Sequence, residues 1–180
     1  ICASVDVPVT VDFEGGYAIE PDAVAENVRQ VIQAGAVGIN FEDRIVAGEG
    51  LHALDDQVAR IRAIRAVALE EGVPLVINAR TDLFLETDPE GHSGYVSEAL
   101  EREAAYAMAG ADSFFVPGLT DPALLSKIIE ATRLPVNVMM MGPLKSVSDV
   151  AALGAGRVSY GPGPYFKFVS NLKKEVAALS

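Results

Sequence analysis

The chain has 180 residues, half of them apolar, enough for one soluble domain with a sizeable core. Its formal net charge of −11 excludes a nucleic-acid surface, which needs clustered Lys and Arg, and only Lys173 and Lys174 come close. One cysteine, Cys2, excludes an internal disulfide, and no apolar run approaches the ~18 residues that cross a membrane, so a cytoplasmic protein without a membrane partner is expected.

The chain opens on Ile1-Cys2-Ala3-Ser4, which reads as the tail of a helix entering a strand, and upstream sequence is expected to be missing. A first strand is expected over Val7 to Val11. Pro21 to Ala34 is helical, with Pro in the first turn and Gly35 just past the end. A second strand runs from Val37 to Phe41. The helix Leu54 to Glu70 puts Leu54, Val58, Ile61, Ile64 and Ala68 on one face. A third strand covers Pro74 to Ala79, and Pro89 to Gly94 reads as a solvent loop. Helix Glu98 to Met108 closes at Gly110, and strand Ser113 to Val116 follows. Asp121-Pro122 opens a helix to Ala131, an N-cap followed by Pro at the first helical position. Strand Pro135 to Met139, a short helix Ser146 to Leu153, strand Arg157 to Tyr160 and a terminal helix Tyr165 to Leu179 complete the chain. The strands are mostly apolar on both faces, as expected of parallel strands covered on both sides.

Ala34-Gly35-Ala36, Ala109-Gly110-Ala111 and Leu153-Gly154-Ala155 each stand just before a strand, the mark of a repeated βα unit. Six such strands fit an open doubly wound sheet or part of an eight-stranded barrel. Polar clusters follow nearly every strand: Asp12-Phe13-Glu14, Glu42-Asp43-Arg44, Arg80-Thr81-Asp82 and Ser159-Tyr160-Gly161. Only a barrel brings all strand ends to one mouth, so the expected fold is an α/β (β/α)8 barrel with two βα units outside this chain, forming a single domain over residues 1–180.

Asp12 and Glu14 share the parity of one strand end, and Glu42 ends the next strand. Three converging carboxylates suit a hard cation such as Mg²⁺ (or Mn²⁺), and the lack of His or Cys beside them disfavours zinc. Solvated loop charges are the plain alternative. Arg80 ends a buried strand and either grips a substrate carboxylate through two hydrogen bonds or pairs with Asp82 or Glu42 as scaffolding. Gly15-Gly16 allows close backbone approach to a ligand, or a simple turn. No phosphate-binding glycine loop of either common type is present. Both histidines, His52 and His92, read as surface residues, and Met139-Met140-Met141 reads as pocket lining or core.

Three strings, Val9-Thr10-Val11-Asp12-Phe13-Glu14-Gly15-Gly16-Tyr17, Gly38-Ile39-Asn40-Phe41-Glu42-Asp43 and Asn78-Ala79-Arg80-Thr81-Asp82, resemble the isocitrate lyase and phosphoenolpyruvate mutase superfamily. The match extends through Gly110-Ala111-Asp112 and Arg157-Val158-Ser159-Tyr160. The resemblance implies a (β/α)8 barrel seen from strand three to strand eight, and a homotetramer that exchanges its last helix. It makes Asp12, Glu14 and Glu42 the acidic groups around Mg²⁺, some acting through water, with Asp12 and Arg80 catalytic. Arg80, Gly15 and Asn137 then contact a small 2-oxo or 2-hydroxy carboxylate. The implied reaction is lyase chemistry, cleaving or forming a C–C bond beside a 2-oxo acid through an enolate, on isocitrate-like, methylisocitrate-like or oxaloacetate-like substrates. Phosphonopyruvate-type P–C chemistry, or binding of 2-oxo acids without turnover, are the alternatives. Departures are specific. The lyases carry a Lys-Lys-Cys-Gly-His loop whose Cys donates a proton, where this chain has Ile45-Val46-Ala47-Gly48-Glu49-Gly50. A family Asn aligns with Met139, with Asn137 at the same strand parity as a substitute, and a family Glu is replaced within Val116-Pro117-Gly118.

Overall fold

The computed structural model describes residues 1–178 and contains one parallel sheet of six strands in the order of the sequence. They are β1 (Thr10–Asp12), β2 (Gly38–Glu42), β3 (Val76–Arg80), β4 (Ser113–Phe115), β5 (Val136–Met139) and β6 (Arg157–Ser159). The helices are α1 (Pro21–Gln33), α2 (Leu54–Glu70), α3 (Val96–Ala109), α4 (Pro122–Ala131), α5 (Val147–Ala152) and α6 (Gly163–Ala177). Sequential order without a reversal is the barrel's winding, since a doubly wound sheet must switch direction once. The result is a curled, six-stranded part of a barrel. Leu179, the last residue expected in the terminal helix, lies outside the described residues.

Alternation along the strands sorts the side chains. Ile39 and Phe41, Ile77 and Ala79, Phe114, and Val136 and Val138 are buried in the core, with Val24, Val28, Ile61, Ile64, Leu125 and Ile128 of the helices. Each fully buried large side chain contributes about 1.5–3 kcal/mol. The opposite parity carries Asp12, Asn40, Asn78, Arg80, Asn137, Arg157 and Ser159, all lining one cleft. The expectation of strands apolar on both faces is corrected here: the helix-facing side is apolar and the inner side is largely polar.

Helix boundaries agree with the sequence reading to within two residues wherever a cap marks them. The Asp121 side chain accepts hydrogen bonds from the Ala123 and Leu124 N–H groups, at 2.8 and 2.9 Å. Pro89 to Gly94 differs from expectation. It belongs to a 3₁₀ segment, Pro89–Tyr95, opened by Asp88, whose carboxylate accepts from the Glu90 N–H at 3.0 Å. This buries His92 edge-on against Phe84, with Nε2 3.3 Å from the Thr87 carbonyl. The first strand is shorter than expected and begins after Pro8, which has no N–H to give to a ladder. Ahead of it, Cys2–Ser4 form a single 3₁₀ turn.

Candidate active site

Register fixes the floor of the cleft. Asp12 pairs with Asn40, Asn40 with Asn78, and Asn78 with Ser113, so four polar side chains stand side by side on four strands. They form a continuous hydrogen-bonded row. The Ser113 hydroxyl donates to Asn78 Oδ1 at 2.6 Å, the Asn78 amide to Asn40 Oδ1 at 3.0 Å, and the Asn40 amide to Asp12 Oδ1 at 2.9 Å. Each amide is held in one orientation by its neighbour, which fixes the Asp12 carboxylate at the open end of the row.

Glu14 reaches the same mouth by a different route from the one strand parity implies. The strand ends at Asp12, and Glu14 takes a left-handed backbone with φ of 48°. Its carbonyl accepts from the Glu42 N–H at 2.9 Å, which sets Glu14 beside the end of β2. The strained turn, continued by Tyr17 at φ of 55°, is held from behind. Arg60 donates to the carbonyls of Gly15 and Ala18, Gln57 donates to the Glu42 carbonyl, and Asn27 donates to the Gly16 carbonyl. Arg60 is buried over the Phe41 ring, and burial pulls its guanidinium down to about 10.

Gly15 is therefore buried, its carbonyl taken by Arg60, and it is absent from the residues that line the cleft. A Cβ there would lie 2.8 Å from Val46 Cγ2 and 2.9 Å from the Arg44 carbonyl oxygen. Gly15→Ala is expected to cost about 1–3 kcal/mol by overpacking against backbone that cannot yield. Urea denaturation checks it, and an unchanged midpoint would place the strain elsewhere.

Arg80 is held on both sides. Its Nε and one terminal nitrogen donate to the two Asp82 oxygens at 2.5 and 3.0 Å, and the other terminal nitrogen stands 3.0 Å from Glu42 Oε2. Burial opposes its charge, but Asp82 and Glu42 outweigh that and raise its pKa. Asp82 is itself fixed through Asp43, a wholly buried carboxylate overlooked as a functional position in the sequence. Asp43 accepts from the Asp82 N–H at 2.9 Å, the Tyr106 hydroxyl at 2.8 Å and Arg102 at 3.1 Å. His52, expected at the surface, is buried here too; its backbone N–H donates to the Asp43 backbone carbonyl at 2.8 Å. Burial lowers the His52 pKa, with Arg60 adding to it.

The three expected metal carboxylates share an electrostatic field more than a coordination sphere. Among the described residues no three His, Cys, Asp or Glu side chains are grouped to hold a metal ion. The reason is local: Asn40 draws Asp12, Arg80 draws Glu42, and the Tyr17 hydroxyl lies 3.4 Å from Glu14 Oε1. The field is strong nonetheless. Burial raises the Glu42 pKa to about 7 against the pull of Arg80, and Asp82, Asp12 and Glu14 add to the rise. Crowded hard oxygen donors of this kind suit a hydrated divalent cation, which keeps several of its own waters.

Glu42 gives a pH prediction. Between about 4.5 and 7 the folded protein keeps a proton that the unfolded chain has released, so this group's contribution to stability falls as the pH rises through that window. The expected loss is on the order of 2–3 kcal/mol. Denaturation of wild type and Glu42→Gln across this range should show the wild type losing more stability, and adding Mg²⁺ should shrink the difference. Parallel pH profiles in the two proteins would contradict it.

A curled parallel sheet gathers an acidic mouth, a fixed arginine and a polar floor in one cleft. The family model described as phosphoenolpyruvate phosphomutase matches residues 1–180, and the chain belongs to that family, within the isocitrate lyase and phosphoenolpyruvate mutase superfamily. A solved structure of a candidate phosphonomutase from Burkholderia cenocepacia superposes with a TM-score of 0.94 at 41% identity, covering 99% of this chain and 72% of that one. An uncharacterized protein of Mycobacterium tuberculosis is 37% identical over 158 residues, 87% of this chain and 55% of its own length. An oxaloacetate decarboxylase of Rhodopseudomonas palustris is 33% identical over 162 residues, 84% of this chain and 51% of its own length. The chain thus spans about half the length of these curated relatives.

Proposed function

We propose that the chain forms the larger part of a (β/α)8 barrel enzyme, from strand three to strand eight, that breaks or makes a C–C bond beside a 2-oxo acid through an enolate. The observation that carries this reading is the Asp12 end of the hydrogen-bonded row, facing the same cleft as the doubly anchored Arg80. Asp12, Glu14 and Glu42 would hold Mg²⁺ or Mn²⁺. The cation's role when bound is to supply positive charge for an enolate oxygen. The protein's own groups do the rest. Arg80, oriented by Asp82 and Glu42, keeps N–H groups for a substrate carboxylate. The amide row holds Asp12 at a fixed angle, so little reorganisation accompanies charge development. Arg60 and Gln57 keep the Glu14 turn against β2.

The loop after β2 supports an oxaloacetate-like substrate. It is short and folded on itself, with the Ile45 N–H donating to the Gly50 carbonyl and Arg44 bridged to Leu51, and it contains neither Cys nor Lys. Decarboxylation needs no general base to start it, since the departing CO₂ leaves the enolate directly. The relationship to a candidate phosphonomutase favours P–C chemistry as the second reading. Incubating the full-length protein with Mg²⁺ and oxaloacetate, 2-methylisocitrate or phosphonopyruvate separates them. Pyruvate and CO₂ from oxaloacetate is the expected result. Phosphorus NMR changes with phosphonopyruvate alone would favour the second reading, and turnover of none with tight binding would make the protein a non-catalytic 2-oxo acid binder.

A further inference from the structure

We infer that a second, smaller cavity behind the Glu14 turn is a binding site for a small zwitterion, an α-amino acid of the size of glycine or alanine. The cavity lies where α1 and α2 begin, on residues that take no part in the cleft. Its volume of about 160 Å³ is enough for a ligand of roughly five or six heavy atoms. The walls carry both signs of charge. Arg60 and His52 are buried, Glu20 and Asp56 stand at the exposed rim, and Ile19 and Pro21 add apolar surface.

Arg60 carries the argument for a carboxylate. It is 1% exposed, yet its hydrogen bonds go only to neutral acceptors, Gln57 Oε1 at 2.5 Å and the carbonyls of Gly15 and Ala18. Asp43 and Asp56 support its charge from a distance, and the Asp43 carboxylate is already taken by Arg102, Tyr106 and the Asp82 N–H. A buried cation without a bonded counter-ion is costly, and a carboxylate beside it removes much of that cost. Two nitrogens call for the same partner. Arg60 Nε and His52 Nε2 are both buried without a hydrogen-bond partner, in side chains 1% and 5% exposed. A ligand carboxylate accepts from the Arg60 Nε–H and from an imidazole N–H. Neither α1 nor α2 has a side-chain cap at its start, so the first N–H groups of both helices add positive potential here. A plain anion would still meet Glu20 and Asp56 at the rim. An ammonium group on the same molecule turns that repulsion into attraction, so the charge complement of the cavity is a zwitterion with its carboxylate inward and its ammonium on the rim. Its occupant would act on the cleft through Arg60, which also holds the Glu14 turn.

Calorimetric titration of the full-length protein with glycine, L-alanine, acetate and methylammonium tests this. Glycine or L-alanine should bind saturably, one per chain, and about 10-fold or more tighter than acetate, which lacks the ammonium, and methylammonium, which lacks the carboxylate. Removing Arg60 would confound binding with folding, because it holds the Glu14 turn, so the variant is placed on the exposed rim. Glu20→Gln combined with Asp56→Asn should keep the thermal transition and erase the advantage of glycine over acetate. Saturating oxalate with Mg²⁺, directed at the cleft, should leave glycine binding unaltered. The inference is overturned by no saturable amino-acid binding up to about 100 mM, by acetate as tight as glycine in wild type, by an advantage that survives both rim substitutions, or by displacement of glycine by oxalate.

Discussion

Asp12→Ala is expected to lower kcat/KM by about 10²–10³-fold, the usual loss when one fixed electrostatic group is removed from a site where charge develops. Asp12 is the end of the row that begins at Ser113, and its side chain is exposed in the cleft, so the fold should survive the change. Steady-state kinetics with oxaloacetate measures the effect, and an unaltered thermal transition separates it from unfolding. Asn40→Ala should give a smaller loss of the same kind, about 10-fold, because it frees the carboxylate without deleting it. Asp12→Ala activity within a factor of three of wild type would remove Asp12 from the chemistry.

The largest stability effect is expected at Asp43. Asp43→Ala leaves the Arg102 guanidinium, the Tyr106 hydroxyl and the Asp82 N–H without their shared buried acceptor, at a cost of about 3–5 kcal/mol. Burial raises the Asp43 pKa, but the Asp82 N–H and Arg102 oppose the rise, and Arg102 is raised in turn by Tyr106 and Asp43 despite its own burial. Asp43→Asn keeps the volume and an acceptor and should cost less. Because Asp43 sets Asp82, and Asp82 sets Arg80, the variant should also weaken carboxylate binding where it remains folded. Urea denaturation reads the first effect; a loss below 1 kcal/mol would mean the network is dispensable.

Much of this was legible in the sequence, for identifiable reasons. The small-residue turns before β2, β4 and β6 mark a repeated βα unit, the polar residues after nearly every strand point to a barrel, and Asp121-Pro122 marks α4 because a cap is a purely local signal. Asp88-Pro89 carries the same signal at the head of the 3₁₀ segment, but Gly91 and Gly94 beside it give the stretch the composition of a solvent loop, and the burial of His92 comes from its packing on Phe84, which is not local in sequence. Long-range pairing was the real limit. Asn40, Asn78 and Ser113 gain meaning only when the register sets them side by side with Asp12, and no single strand reveals that. Arg60 and Gln57 sit on the buried side of α2, where a pattern-based reading places only apolar residues. At Glu14 strand parity no longer applies, because the strand ends at Asp12 and the backbone enters a left-handed turn.

The residues of the metal reading converge as a shared field, with each carboxylate held by a protein partner. A divalent cation would have to compete with Arg80 for Glu42 and with Asn40 for Asp12, and the substrate analogue and cation should therefore bind together. The direct test is calorimetric titration of oxalate, a planar mimic of an enolate, into the full-length protein with Mg²⁺ and again with excess EDTA. Oxalate affinity at least 100-fold tighter with Mg²⁺, and lost in Asp12→Ala, is the predicted result. Equal oxalate affinity with Mg²⁺ and with EDTA would contradict it.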